Sequence, residues 1–276
     1  MLKNVKKKYF KNILFFIFFN GKFILHLYSV INHLNIYIMK KSKVNGYIIY
    51  QGKSQIDGNN IVAIVTMKSK NIKTGNMASM WIMNADIAPT KASKSGADYS
   101  VCGNCKHRAI NNGACYVVLH NAPLSVYKAY KRGNYPKATN MNIFEGMKMR
   151  FGAYGDPMAI PTDILVSIKA VVKNNTSYTH QWRENNEVLK KLSMASVDSI
   201  EEQKLAVANG WRTFRVTNDL SSIQDNEIIC PNTTKGIKCV DCGLCGGNKI
   251  GAKNIVIQSH GYKKTKFIEK DLAVTM

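Results

Sequence analysis

Residues 148–182 read KMRFGAYGDPMAIPTDILVSIKAVVKNNTSYTHQW, and this stretch decides the fold class. A short β-forming run at 148–154 ends in Gly155-Asp156-Pro157. A run with helical spacing follows at 162–172, and a second β-rich run covers 178–182. A strand, a helix and another strand with short connections predict a βαβ unit, whose two strands lie parallel in one sheet.

The same alternation continues towards the C-terminus. Further helices are predicted at 187–192 and 199–209, and further strands at 193–197, 211–217 and 255–259. With the first unit this gives about five parallel strands and predicts an α/β domain, a parallel β/α fold forming a partial or complete barrel. Ahead of it, β-rich runs separated by turn residues predict a small antiparallel hairpin unit, at 47–50, 61–67 and 77–83.

In parallel α/β sheets and barrels the site lies at the carboxyl ends of the strands. Polar and titratable residues recur at those predicted ends: Tyr154, Asp156, His180, Gln181, Ser196, Asp198, Arg215, Thr217, Gln258 and His260. Among them we expect Asp156, His180, Arg215 and His260 to surround the reacting group as candidate catalytic residues. The alternative is that strand ends face solvent and are polar for that reason alone.

Seven cysteines fall in two short stretches. The first cysteine group, Cys102, Cys105 and Cys115, has the spacing C-x2-C-x9-C and supplies three thiolates. Either His107 or His120 completes this site, or one coordination position stays open, as at catalytic metal centres. The glycine between the first pair permits the tight turn that brings two thiolates to one ion or cluster.

The second cysteine group consists of Cys230, Cys239, Cys242 and Cys245. Four thiolates are enough to close a structural zinc site or to hold an iron–sulfur cluster. Spacing does not separate zinc from iron–sulfur, although the tight run at 239–245 followed by glycines favours iron–sulfur. A single site that draws on both groups stays open as an alternative.

Composition limits the partners and the compartment. The chain has 39 basic and 17 acidic residues, a net charge of +22, which favours polyanions such as nucleic acid, an anionic membrane or a phosphorylated substrate. A basic stretch interleaved with tyrosines at 127–137 is a candidate nucleic-acid contact, and its alternative is a solvated helix face. An odd number of clustered cysteines argues against a secreted disulfide scaffold. No phosphate-binding P-loop, dinucleotide fingerprint, H-E-x-x-H or G-x-S-x-G motif occurs.

Residues 1–38 differ from the body at 39–276, which we expect to form a single metal-binding α/β domain. This leader contains six lysines and no acidic residue, and its apolar runs are interrupted by Asn20-Gly21-Lys22. Neither apolar half reaches the roughly 18–20 residues of a membrane span, so no stable span is expected. The Lys, Asn, Ile and Phe content fits translated A/T-rich noncoding DNA with a true start at Met39. A membrane-associating leader is the alternative.

Several motifs resemble the phage "gene product 88" family, over about residues 60–267. The matching strings are CGNCKHR, GACYV, SVYKAYKRGNYP, FGAYGDPMAIP, SYTHQWR, ANGWRTFRV, CVDCGLCGG and KNIVIQSHG. The resemblance implies a phage, prophage or plasmid origin and a cytoplasmic setting in an infected or lysogenic cell. It implies no mechanism, because the activity of the family is not characterised.

Three cysteines, the last followed by an aromatic residue, ahead of a β/α series also resemble the cluster loop of radical S-adenosylmethionine enzymes. The resemblance implies a four-iron cluster on the first cysteine group, with one iron free to chelate the cofactor. Gly155 and Asp156 would then correspond to the segment that binds the amino group of the cofactor. The second cysteine group would hold an auxiliary cluster. The spacing here differs from the C-x3-C-x2-C of that superfamily.

The sequence therefore predicts a phage-type enzyme that uses zinc or iron–sulfur clusters, with S-adenosylmethionine as a further candidate cofactor, acting on nucleotides or nucleic acid. The rival prediction is a nonenzymatic nucleic-acid-binding protein in which zinc stabilises both cysteine groups. The enzyme hypothesis requires an enclosed cavity that joins the first cysteine group to Asp156, His180 and His260.

Overall fold

The structure is a computed structural model that describes residues 44–184, 186–249 and 251–268. The leader at 1–38 lies outside the described residues, so the interpretation of this segment stays a prediction. The strands are β1 (Gly46–Lys53), β2 (Asn60–Thr66), β3 (Ala78–Asn84), β4 (Lys148–Tyr154), β5 (Asn174–Thr179), β6 (Met194–Val197), β7 (Thr213–Thr217), β8 (Glu227–Ile229) and β9 (Asn254–Gln258).

The helices alternate with the strands through the second half of the chain. They are α1 (Pro89–Ser95), α2 (Tyr99–Cys102), α3 (Ala122–Lys131), α4 (Thr162–Val171), α5 (Glu187–Leu192), α6 (Ile200–Ala208), α7 (Pro231–Lys235) and α8 (Cys239–Cys242), followed by helical turns at 264–268. The starts of several helices have a local cause. At α6, for example, the Ser199 side chain accepts a hydrogen bond from the Glu202 amide at 3.1 Å and so caps the first turn.

All nine strands belong to one sheet, in the order β1-β2-β3-β4-β5-β6-β7-β9-β8. The pairs β1–β2 and β2–β3 are antiparallel, and every other neighbouring pair is parallel. The predicted mixed α/β fold with a mostly parallel sheet is therefore confirmed. The antiparallel strands at the front extend this sheet through β3, because β3 pairs in parallel with β4.

Two strands differ most from the sequence prediction, whereas the other predicted strands, apart from β4, shift by one to three residues at an end. Strand β5 covers Asn174–Thr179, four residues earlier than expected, because Asn174 and Asn175 pair within the sheet. Asn175 is fully buried, and its side-chain amide donates to the Leu192 carbonyl at 2.8 Å, so a polar residue fits inside. Strand β8 was not predicted, and it forms the sheet edge outside β9.

The core lies on both sides of the sheet at its antiparallel end. Strand β2 has five consecutive buried residues at 61–65, which requires cover on both faces. Helix α4 packs with Leu165 and Ile168, both fully buried and three residues apart on one helix face. This packing fixes the connection between β4 and β5, whose carboxyl ends carry the first predicted site residues.

Candidate functional site

One cavity of about 720 Å³ lies against one face of the parallel strands. Each of five strands, β4, β5, β6, β7 and β9, contributes to its wall, through Arg150, Tyr178, Ser196, Phe214 and Ile257 respectively. Side chains at alternating positions share a face, so these five strands present one common face to the cavity. All seven cysteines also line the cavity, although they come from two distant stretches of the chain.

The first cysteine group lies at the carboxyl ends of β4 and β5. The Gln181 side chain, just after β5, donates to the Cys102 carbonyl at 3.0 Å and accepts from the Asn104 amide at 3.1 Å. Between them Gly103 has φ of 51°, and a Cβ there would lie 2.6 Å from the Gln181 carboxamide oxygen. The positive φ and this close approach explain why the turn between Cys102 and Cys105 contains a glycine.

A buried ion pair holds the rest of this loop. Arg108 donates to the Asp98 carboxylate at 3.0 and 2.7 Å and to the Gly96 carbonyl at 2.6 Å. Both Asp98 contacts go to the same oxygen, Oδ1, and with the Gly96 contact they fix the chain between Cys105 and Cys115, which face the cavity. The loop geometry is therefore set by side chains that are not themselves metal ligands.

The three sulfurs of the first cysteine group influence one another. Burial raises the pKa of Cys105 to about 12, and it raises the pKa of Cys102 well above its usual range. The neighbouring Cys105 and Cys115 add to the shift at Cys102, as expected for thiols that crowd one site. Such thiols become thiolates when a metal ion or cluster supplies the compensating charge.

The second cysteine group bridges the other end of the cavity. Cys230 directly follows β8, and its amide donates to the Val256 carbonyl at 2.9 Å. Cys245 is buried against β5, where the Ser177 amide donates to its carbonyl at 2.8 Å and the Tyr178 hydroxyl hydrogen-bonds its sulfur. Burial raises the pKa of Cys245 to about 12, against the opposing effect of the Tyr178 hydrogen bond.

Arg212 clamps the segment that carries the end of the second cysteine group. Its guanidinium donates to the carbonyls of Leu244, Gly247 and Lys253 at 2.9, 2.7 and 2.5 Å. A buried cation with three carbonyl partners holds irregular backbone in place. The loop is thus pre-shaped next to the strands that form the cavity wall.

The cysteine sulfurs are the right ligand type for a thiolate-bound metal group, but they are not arranged around a single metal ion. Three thiols gather at one end of the cavity and four at the other, and all seven are free cysteines. Within the ranges that the structure describes, no three His, Cys, Asp or Glu side chains are placed to hold one metal ion. Neither His107 nor His120 is therefore shown as a fourth ligand.

Asp156 connects the ends of β4 and β5 beside the first cysteine group. Its Oδ1 accepts from the Thr179 hydroxyl at 2.8 Å and the Met158 amide at 3.0 Å, and its Oδ2 accepts from the His180 amide at 2.8 Å. Burial raises the pKa of Asp156 against the lowering effects of the His180 charge and these hydrogen bonds. Gly155 before it has φ of 80° and lies in contact with Ile82 backbone, where no Cβ fits.

Three of the four candidate catalytic residues line the cavity: Asp156, His180 and His260. Arg215 does not. Its neighbours Phe214 and Val216 face the cavity, so strand alternation turns Arg215 to the opposite side. There it donates to the Glu227 carboxylate at 2.8 and 2.7 Å, with both side chains almost fully buried. The expectation that Arg215 belongs to the site is corrected on this ground.

The structure pairs two residues that the sequence analysis named separately, His107 as a possible ligand and Asp198 at a strand end, and it adds Arg150 to the cavity wall. His107 and Asp198 share a hydrogen bond of 2.7 Å between Nε2 and Oδ2 on the cavity wall. Burial would raise the pKa of Asp198, but the His107 hydrogen bond and the charges of His107 and Lys106 lower it to about 2. Arg150 lies in mid-strand, whereas the sequence search considered only strand ends.

Comparison with protein-family models, curated protein sequences and solved structures gives no match for this chain. Among the described residues no helix is both long enough and apolar enough to cross a membrane. The cavity and the residues that line it are therefore the features of this molecule that bear on function.

Proposed function

We propose that this protein is a metal-dependent enzyme, with an iron–sulfur cluster on the first cysteine group and a second metal group on the second. One observation carries the proposal: all seven cysteines, from stretches more than a hundred residues apart, line one cavity against the parallel strands. Cysteines that stabilise a fold with zinc need no access to such a cavity. Cysteines that hold a reactive cluster do.

The first cysteine group is the reactive one, because three thiolates leave one coordination position open. It lies at the carboxyl ends of β4 and β5, the place where parallel α/β folds bind substrates. We take the sheet as an incomplete barrel around this space. A four-iron cluster, when bound, would supply one-electron chemistry and an iron open to a substrate or cofactor.

The resemblance to radical S-adenosylmethionine enzymes gains some support from the chain order. The first cysteine group lies between β3 and β4, and Gly155 and Asp156 follow β4 directly. A carboxylate has about four lone-pair sites, of which three in Asp156 accept hydrogen bonds from this chain. The remaining site suits one contact to a cofactor amino group, while the three existing bonds hold the strand ends in place.

His180 and His260 are the groups of this chain placed to move protons in the cavity. His180 is held by its backbone amide on Asp156, at 2.8 Å, which leaves the imidazole to the cavity. His260 lies at the exposed mouth, with its ring centroid 6.3 Å from that of Tyr116. Nucleotides or nucleic acid are the substrates that the basic surface of the chain favours.

The second candidate function is a zinc-stabilised nucleic-acid-binding protein. The net charge of +22 favours it, as does α3, where the Lys131 ammonium lies 6.0 Å and 5.8 Å from the ring centroids of Tyr127 and Tyr130. Free thiols fit either function, and a reducing cytoplasm is the setting we propose for both.

Metal analysis of the full chain, purified without oxygen, separates the two functions. Two four-iron clusters predict about eight iron and eight sulfide per chain and a broad visible absorption that bleaches on reduction. The Cys115→Ser and Cys239→Ser variants should each lose about half of the iron. Ser100→Ala, a matched substitution beside the first cysteine group, should lose none. Bound zinc without colour would refute the iron–sulfur proposal, and a chain without metal would refute both functions.

A further inference from the structure

Among the described residues, half-buried Arg150 differs from Arg108, Arg212 and Arg215, because neither a carboxylate nor a backbone carbonyl engages it; the acidic groups nearby are the Tyr116 and Tyr178 hydroxyls and the Cys239 thiol. The others are engaged by carboxylates or backbone carbonyls: Arg108 by Asp98, Arg215 by Glu227, and Arg212 by three carbonyls. Among the described residues, no Asp or Glu carboxylate forms an ion pair with Arg150. Its Nη2 donates to the Tyr116 hydroxyl at 2.8 Å, and its buried Nε has no hydrogen-bond partner.

A cation that is partly removed from water and has an unpaired donor is unfavourable, and binding of an anionic ligand removes this cost. A guanidinium is always charged, so partly removing it from water without a carboxylate partner is unfavourable. The Arg150 side chain lines the cavity from the middle of β4, between the two cysteine groups. The Arg150 side chain therefore borders the space where a substrate would lie.

A second unpaired polar group stands beside it. Thr176 is the β5 partner of Arg150 in the parallel register, so the two side chains share a face of the sheet. Thr176 is 2% exposed, lines the cavity, and its hydroxyl has no hydrogen-bond partner. The Tyr154 hydroxyl, further along β4 towards the first cysteine group, is likewise buried and unpaired. Buried hydroxyls without partners are rare in folded proteins.

The rest of the cavity wall near these groups is apolar and aromatic. The rings of Tyr178 and Phe214 lie 4.5 Å apart, centroid to centroid, and Ile255 and Ile257 continue the wall on β9. Apolar walls with a few convergent polar groups are typical of small-molecule sites. A ligand that fits has a flat, apolar body and one charged end.

We propose that Arg150 and Thr176 form a binding subsite for the oxyanion group, carboxylate or phosphate, of a small substrate with a flat apolar body. The planar guanidinium matches either oxyanion, and the Thr176 hydroxyl adds one donor. This subsite rests on the proposed function, because it names the class of substrate that the same cavity would bind. The anion is anchored in mid-cavity, and the body lies along the apolar wall formed by Tyr178, Phe214 and Ile255.

The test uses two pairs of probes that differ in charge: indole-3-acetate with indole-3-ethanol, and AMP with adenosine. Titration calorimetry on the full chain should show at least about tenfold tighter binding for the charged member of one pair. The pair that shows the preference identifies the carboxylate or the phosphate as the recognised group. Equal affinities within both pairs, or no binding of any probe at millimolar concentration, overturns the proposal.

Variants connect the preference to the subsite. Arg150→Met should abolish it, Arg150→Lys should keep part of the charge effect, and Thr176→Val should weaken it several-fold without changing charge. Arg132→Met, on the exposed end of α3, is the matched control and should leave the preference unchanged. A preference that survives in Arg150→Met overturns the proposal.

Metal content measured on the same samples separates this inference from the proposed function. Arg150→Met should retain the metal of the wild type. Loss of metal from that variant would instead assign Arg150 to the second cysteine group and would overturn the subsite. A wild type without metal that still prefers the charged probes would refute the proposed function and leave the subsite standing.

Discussion

The buried pair of Arg215 and Glu227 gives the sharpest prediction about stability. The side chains are 2% and 0% exposed, and two contacts of 2.8 and 2.7 Å join the guanidinium to the carboxylate. Replacing Arg215 with Met leaves a buried carboxylate whose remaining donor is the Gln224 amide at 3.0 Å. Breaking a buried pair in this way destabilises by roughly 3–5 kcal/mol.

Urea unfolding followed by tryptophan fluorescence measures the change. For a domain of this size an m-value near 2–3 kcal/mol per molar converts the loss into a midpoint shift of about 1–2 M urea. The control is Arg183→Met, because Arg183 forms a contact of the same length, 2.8 Å, to Glu202 but is 57% exposed. That variant should lose about 1 kcal/mol or less.

The double variant Arg215→Met/Glu227→Met tests the reason for the loss. If the cost comes from an uncompensated buried charge, the apolar pair should recover most of the stability. A double variant no more stable than Arg215→Met would refute this reasoning, as would a single variant that loses less than about 1 kcal/mol. If Arg215→Met changed ligand binding without a loss of stability, Arg215 would belong to the functional site after all.

Three further predictions concern the loops and the cavity wall. Gly103→Ala should destabilise the folded protein by roughly 1–3 kcal/mol, because the new Cβ displaces the Gln181 side chain. The variant should also release the metal of the first cysteine group, and unchanged metal content would contradict this. Arg212→Met should reduce the stability of the fold by roughly 2–4 kcal/mol, because three carbonyls lose their donor. The second cysteine group should lose its metal while the first keeps it. Faster amide hydrogen exchange at 244–249 and 251–253 would show that this segment has loosened. Asp198, whose pKa falls from 3.8 to about 2 beside His107, stabilises the fold fully above pH 4 and loses this contribution as pH falls to about 2. The stability difference between wild type and Asp198→Asn should therefore shrink across that window in acid titrations, and a constant difference would refute it.

The elements with strong local signals could be predicted from the sequence. Strand β4 and helix α5 have the bounds that the pattern predicts, 148–154 and 187–192. In β5, by contrast, the polar Asn174-Asn175 pair carries no strand signal, although both residues belong to the strand and Asn175 is fully buried. The partner that makes this burial possible, the Leu192 carbonyl, lies 17 residues away and carries no local signal.

The two cysteine groups are visible in the sequence because spacing is local, and their role as metal ligands stays a prediction. Their convergence on one cavity could not be predicted, since it depends on the order of the strands and on the path of the loop after β8. Parallel strands covered on both faces lack the polar alternation that tells which side chains share a face. For this reason the predicted site residues all lie at strand ends, and Arg150 in mid-strand is not among them.

The two arginines show what information was missing. Arg150 on β4 and Arg215 on β7 look alike in sequence, each in a short β-forming run. What separates them is a carboxylate on β8, a strand of three residues that no pattern predicts. Once β8 is in place, Glu227 neutralises Arg215 and makes it part of the core, while Arg150 lines the cavity and keeps an unpaired donor. A charged side chain in a buried strand thus points to function only when its partners are known, because pairing decides whether the charge stabilises the fold or awaits a ligand.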